Sequence, residues 1–265
     1  MRISKPVRAT FVAIVALALA FVYVPLLVVL VNAFSTSQAL AWPPRSFTLE
    51  WWGRAAQNAG AWQAVGTSVV VALCATAIAL VLGTLCALAL DRFEFFGKEA
   101  VNLLIVLPIA LPGIVTGIVL NNLFRTGLGL TLGLGTLIVS HATFCIVTVY
   151  NNAFARLRRL NGNLVDASAD LGADRFTTFR LVTLPQLRSA LFAGALLAFG
   201  LSFDEIIVTQ FTAGPGVTTL PIWIFQNMFR PGQAPIVNVV AVVLVIVSIV
   251  PIALAQRLEA RAEQR

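Results

Sequence analysis

Residues 9–44 read ATFVAIVALALAFVYVPLLVVLVNAFSTSQALAWPP, with no Asp, Glu, Lys or Arg among them. A helix crosses a hydrocarbon core of ~30 Å in about 20 apolar residues, because each residue adds ~1.5 Å. Outward from this stretch the same reading repeats. Residues 55–90, 100–124, 126–155 and 231–256 are also charge-free, and 190–211 is broken only by Asp204 and Glu205. These gaps predict six membrane-spanning helices at about 9–33, 65–90, 103–124, 132–154, 190–211 and 236–255. The expected fold is an all-α membrane protein, with residues 1–265 forming a single transmembrane domain.

Composition agrees. Of 265 residues, 59% are apolar and only 11% charged, against about 25% charged in soluble domains. The mean hydropathy is +0.92. A soluble fold of this size could not cover so much apolar surface, and disorder is excluded for the same reason. The net charge of +7 invites a nucleic-acid reading, but the placement of the charges opposes it. With six spans, 14 of the 18 Lys and Arg fall on the side of the termini, including Arg2, Lys5, Arg8, the cluster from Arg156 to Arg188, and Arg257, Arg261 and Arg265. Only Arg45, Arg54, Arg125 and Arg230 fall on the other. The positive-inside rule then places both termini in the cytoplasm. The basic charge reports orientation, and no nucleic-acid partner is expected.

The first apolar run is longer than the 7–15 residues of a signal-peptide core, so it reads as an uncleaved span despite the A-x-A pattern from Ala16 to Ala20. Cys74, Cys86 and Cys145 lie inside spans, without metal-site spacing, and read as small packing residues. His141 is the single histidine and also lies in a span. It serves either a helix-to-helix hydrogen bond or a solute or proton role.

Two aqueous segments are long. Residues 34–64 face outward and carry Trp42, Trp51, Trp52 and Trp62. They suit an anchor at the outer interface or a contact for an external protein. Residues 156–188 face the cytoplasm. Gly172 suits the left-handed position that closes a helix, and Asp174 suits the N-cap of a second. Pro185 is expected to stop that second helix before the fifth span. Leu171, Phe176, Phe179 and Val182 give the segment an apolar side. Two short helices of this kind form either a docking knob or an amphipathic pair on the membrane.

Within this segment Asp166-Ala167-Ser168 is followed after three residues by Gly172, and after nine more by Val182-Thr-Leu184-Pro185. This resembles the EAA loop of permease subunits in binding-protein-dependent ABC importers, with Asp for Glu at 166, Ser for Ala at 168 and Val for Ile at 182. The stretches 91–98, 107–113, His141–Ile146, Leu201–Glu205 and Phe211–Pro221 narrow the resemblance to the spermidine/putrescine permease subfamily, and to its second permease subunit. The resemblance implies a type I importer permease bundle in the bacterial inner membrane. It implies that Asp166, Ala167, Ser168, Gly172, Val182, Leu184 and Pro185 couple the chain to a dimeric cytoplasmic ATPase. It further implies a second permease subunit, an external or periplasmic solute-binding protein, and alternating access as the mode of transport.

The chain itself should bind no cofactor. Its two lysines, Lys5 and Lys98, complete no phosphate-binding loop, so ATP and Mg belong on the ATPase and this subunit is not an enzyme. Asp204 and Glu205 remain. Counted from Ala190, 14 residues of helix place them ~21 Å along the fifth span, past the middle of the core. A carboxylate there is costly unless it is hydrated or paired. The pair is expected to line the translocation path and suit a cationic solute; the alternative is a place at the outer interface. On the same helix Ala190, Gly194, Ala198 and Ser202 recur every four residues, a row that lets another helix approach closely. An ion-gradient-driven transporter would explain the spans and the acids, but not the 166–185 spacing.

Overall fold

A computed structural model describes residues 5–38, 42–160 and 163–247. The regular secondary structure of the described residues is helical, joined by turns and loops, with one isolated bridge, Ser35 to Phe47. Among the described residues four helices are long and apolar enough to cross a membrane: α1 (Lys5–Asn32), α3 (Ala59–Arg92), α6 (Leu134–Leu157) and the continuous run Arg175–Asp204. A fifth crossing exists only if α4 (Lys98–Ala110) and α5 (Gly113–Asn122, extended by a wide turn to Gly127) count together, and they bend by 106°. Among the described residues the expectation of six spans is therefore corrected to four, or five with the bent pair.

The reasons lie in the backbone. Leu111 is extended (φ −80°, ψ 144°), as a residue before proline prefers. Pro112 has no N–H to continue α4. The apolar run 103–124 thus contains two helices where hydropathy reads one. The fifth expected span begins at Arg175 rather than 190 and ends at Asp204 rather than 211. Within the described residues the last apolar helix is Ala234–Val247. The rest of the expected 236–255 span lies outside the described residues.

The chain divides into two compact units, Met1–Ala61 with Ile224–Arg265, and Trp62–Trp223. In the first, α1 is apolar all round and its membrane-length window is unburied. Its apolar surface is free for lipid or another chain. The segment after it folds on itself. Thr36 N–H donates to Ser46 O at 3.1 Å, and the Trp51 indole N–H donates to Ser35 O at 2.8 Å. Trp51 is thereby buried, while Trp42 stays exposed. A short helix α2 (Glu50–Ala56) follows, and Asn58 caps α3 by accepting the Ala61 N–H at 2.9 Å.

The second unit is built around α6, the most buried of the four long helices. Small residues let its neighbours close in. On α3, Ala75, Ala79, Gly83 and Ala87 fall every four residues and are buried. A Cβ on Gly83 would stand 2.9 Å from Ile146 O and 3.0 Å from Tyr150 N. On α9 (Leu184–Asp204), Gly194 lies against Val149 and Asn152, the Ala198 carbonyl accepts from Cys145 Sγ at 3.3 Å, and Ser202 meets His141. The row of small residues on the fifth span therefore packs on α6 of this same chain. Nearer the 156–188 segment the seam is larger: Leu90, Tyr150, Leu157 and Leu187 pack together, and the Tyr150 hydroxyl donates to Asn102 Oδ1 at 2.6 Å.

Gly83→Ala is expected to destabilise the purified protein by about 1–3 kcal/mol, although alanine gains roughly 1 kcal/mol of helix propensity. Gly66→Ala, on the same helix with nothing within 4 Å, should be neutral or stabilising. Thermal unfolding of the two variants in detergent checks this. Equal stability would remove the close α3–α6 packing as a determinant of the fold.

Candidate functional site

Two groups of candidate residues stand at opposite ends of α9. Its 21 residues separate them by about 30 Å.

At the first end, α7 (Asn163–Asp170) closes through paired hydrogen bonds: Gly172 N–H to Ala169 O at 2.9 Å, and Ala173 N–H to Ser168 O at 3.1 Å. This 6→1 and 5→2 pattern requires a left-handed residue, and Gly172 has φ +80°. Asp174 then caps α8 (Arg175–Thr178), its carboxylate accepting the Thr177 N–H at 2.9 Å. Ser168 and Thr178 share a hydroxyl–hydroxyl bond of 3.0 Å that ties the two short helices together. Asp166 and Ala167 are exposed, as are Leu184 and Pro185, while Val182 is half-buried. Leu171 and Phe176 project into solvent at 88% and 69% exposure.

Pro185 does not stop the helix. Residues Phe179–Thr183 widen into a π turn, in which Leu184 N–H reaches back five residues to Phe179 O. This turn accommodates the proline ring and its missing donor, and α9 continues without interruption. Across the segment, Arg156 Nε donates to Gln186 O at 3.1 Å and joins the end of α6 to the start of α9.

At the other end α9 breaks. Asp204 is its last residue, Glu205 is extended (φ −72°, ψ 121°), and α10 (Ile207–Thr212) follows. The two acids are not equivalent. Glu205 Oε1 accepts the Val208 N–H at 2.8 Å and so caps α10, where a negative charge is favoured. Asp204 is exposed and has no hydrogen-bond or ion-pair partner among the described residues. It sits at a helix C-terminus, the end that disfavours an anion.

Behind the break lies His141, fully buried on α6. Its Nδ1 is 2.8 Å from Ser202 Oγ on α9, and its Nε2 is 2.9 Å from Thr209 Oγ1 on α10. The helix-to-helix role expected for this histidine is what its bonding shows. Thr209 was not legible as its partner, because the two are 68 residues apart and only the break turns Thr209 toward α6. Thr136 on α6 likewise reaches Thr212 O at 3.1 Å. The far side of α10 packs on α5, with Gly113 against Ile207, Gly117 against the Phe211 ring, and Asn121 Nδ2 donating to Phe211 O. Among the described residues no three His, Cys, Asp or Glu gather as metal ligands.

The family described as binding-protein-dependent transport system inner membrane component matches residues 79–264, spanning all of these features. The chain belongs to this family. As an ABC importer permease subunit it works within a multi-subunit complex, and ATP hydrolysis resides in a separate ATPase subunit. The permease is 34% identical over 238 residues to the spermidine/putrescine transport system permease protein PotC of Escherichia coli K12, covering 89% of each chain. It is 34% identical over 262 residues to the putrescine transport system permease protein PotI of the same strain, covering 96% of this chain and 92% of that one. A crystal structure of a bacterial ABC transporter involved in import of the acidic polysaccharide alginate shares the fold. Its TM-score is 0.74 at 14% identity, over 97% of this chain and 99% of that one.

The Asp174 carboxyl is held below the usual carboxylate range, first by the Thr177 hydroxyl and then by the Thr177 N–H. A lowered folded value means the cap is intact at neutral pH and is lost as pH falls through that value. Protection of the Thr177 amide from hydrogen exchange should therefore drop in the wild type as pH falls below the usual carboxylate range. In Asp174→Asn, which keeps a capping oxygen without a titrating group, protection should stay flat. A pH-independent wild type would contradict the cap.

Proposed function

We propose that this permease imports polyamines, or small cationic solutes close to them, across the bacterial inner membrane. The observation that carries the solute class is the 34% identity to PotC and PotI along nearly the whole of each chain. Both of those proteins are named for putrescine. The exposed, unpartnered Asp204 at a helix C-terminus supports it independently. An ammonium group would relieve both the carboxylate and the helix dipole. Glu205 is second to it, since one of its oxygens is committed to α10.

The chain acts as one permease domain beside a second permease subunit. The loop with Asp166, Ala167, Ser168, Gly172, Val182, Leu184 and Pro185 docks on a dimeric ATPase that holds ATP and Mg. A periplasmic binding protein delivers the solute. The loop side faces the cytoplasm: with the bent pair counted as a crossing, Arg156, Arg158 and Arg159 fall on the same side as Arg2, Lys5 and Arg8, away from Arg45, Arg54 and Arg125. The ion-gradient alternative has no support once the family is known. The shared fold of an alginate importer shows that architecture alone does not select the solute.

Gly172→Val forces a β-branched residue into left-handed backbone. It should reduce recovery of the ATPase with the purified complex while leaving membrane insertion intact, and a cysteine at Asn161 should resist impermeant reagents in intact cells. Full ATPase recovery, or labelling from outside, would overturn the docking assignment.

Asp204→Asn keeps shape and hydrogen bonding but removes the charge. Putrescine uptake should fall about tenfold or more, the scale of a lost charge-assisted contact, with the complex still assembled. Wild-type uptake by this variant across a full concentration series would sink the pathway role.

A further inference from the structure

We infer that His141 is a positioning residue for transport: its imidazole holds the α9–α10 break in the shape that presents the Asp204 carboxylate to the solute. This rests on the reading of Asp204 given above.

The break needs an external brace. α10 has six residues, too few for a helix to sustain itself. Breaking a helix inside hydrocarbon frees backbone groups that water does not reach. Part of the answer is local, since Glu205 caps Val208 N–H and the Thr209 hydroxyl donates to Glu205 O at 2.8 Å. Among the described residues these local bonds stop at Glu205, and none of them reaches a residue within α9. His141 does so, with one ring nitrogen on Ser202 in the last turn of α9 and the other on Thr209 in the first turn of α10.

The direction of the bonds follows from counting protons. Thr209 gives its single hydroxyl proton to the Glu205 carbonyl, so it accepts from Nε2–H of the imidazole. In the neutral ring Nδ1 is then bare and accepts from the Ser202 hydroxyl. The chain Ser202 to His141 to Thr209 to Glu205 O runs in one direction and leaves no member unsatisfied. All three side chains are buried, so each bond is shielded from competing water.

The ring itself is fixed from α6. Phe144 lies against it at 5.4 Å between centroids, and one turn on Cys145 bonds to the Ala198 carbonyl. Asp204 lies between the two anchored positions, 202 and 209, and its own side chain has no hydrogen-bond or ion-pair partner among the described residues. Its direction is therefore set by the geometry of the break. A filler of the same size would complete the packing on α6 but could not bridge the two half-helices. This is why an acceptor and a donor on opposite sides of one rigid ring matter here.

The test uses the assembled importer in proteoliposomes, with putrescine as probe and KM and maximal rate read separately. Ser202→Ala and Thr209→Val each remove one side of the bridge, and each should raise KM about five- to tenfold, the scale of one buried hydrogen bond. Maximal uptake and the amount of assembled complex should change less than about twofold. His141→Leu should raise KM at least as far. His141→Gln, which keeps an acceptor and a donor on one planar group, should lie closer to wild type than His141→Leu. If Asp204→Asn raises KM while Ser202→Ala and Thr209→Val do not, the positioning role is wrong and the reading of Asp204 survives. If these variants lower only the amount of complex, with KM constant, His141 is a packing residue. If Asp204→Asn also leaves KM unchanged, or the wild type takes up no putrescine, the underlying reading fails and takes this inference with it.

Discussion

In hydrocarbon every backbone N–H and C=O must find a partner inside the protein, and each interruption of a helix frees several at once. The architecture of the second unit follows from how those groups are answered. At the α9–α10 break the answer comes from side chains, with Glu205 on Val208, Thr209 on Glu205, and His141 between Ser202 and Thr209. At Phe179–Thr183 it comes from a wider turn, whose hydrogen bond reaches five residues back. On α6, Thr136 and His141 stand where the neighbouring α9–α10 pair is discontinuous, while Ser140 and Thr148 bond within α6 itself.

This arrangement gives α9 two different ends. Toward the loop it is joined to α6 by Arg156 and Gln186, and the Ser168–Thr178 bond ties α7 to α8 just ahead of it. Toward the break it is held by the imidazole. Between them, Gly194 and Ala198 keep it close to α6, with little side-chain volume in the seam.

The membrane class was legible because charge-free runs of this length have no other stable home. The number of crossings was not, because hydropathy reports the solvent of a segment and says nothing of its continuity. Leu111-Pro112 interrupts an apolar run without altering its hydropathy, and Arg180 and Arg188 sit in a helix that was expected to begin after them. In the loop, Gly172 and Asp174 carried their conformations in their own chemistry, a missing Cβ and a short carboxylate, so their turn and cap could be read directly. Pro185 misled because a wide turn can absorb a proline. Glu205 and Asp204 looked like a pair because they are adjacent, and only the break gives one of them a backbone N–H to hold.

The π turn between α8 and α9 also sets a phase. Each residue of an α-helix advances the azimuth by about 100°, so the one surplus residue in the wide turn rotates everything before it by more than a quarter turn relative to α9. The exposed faces of Leu171 and Phe176 owe their compass bearing around α9 to that residue. Helices of identical composition, joined by an uninterrupted α register, would present the same apolar surface in a different direction. The direction in which this apolar surface faces is therefore written in the count of residues between Asp174 and Pro185, as much as in their identities.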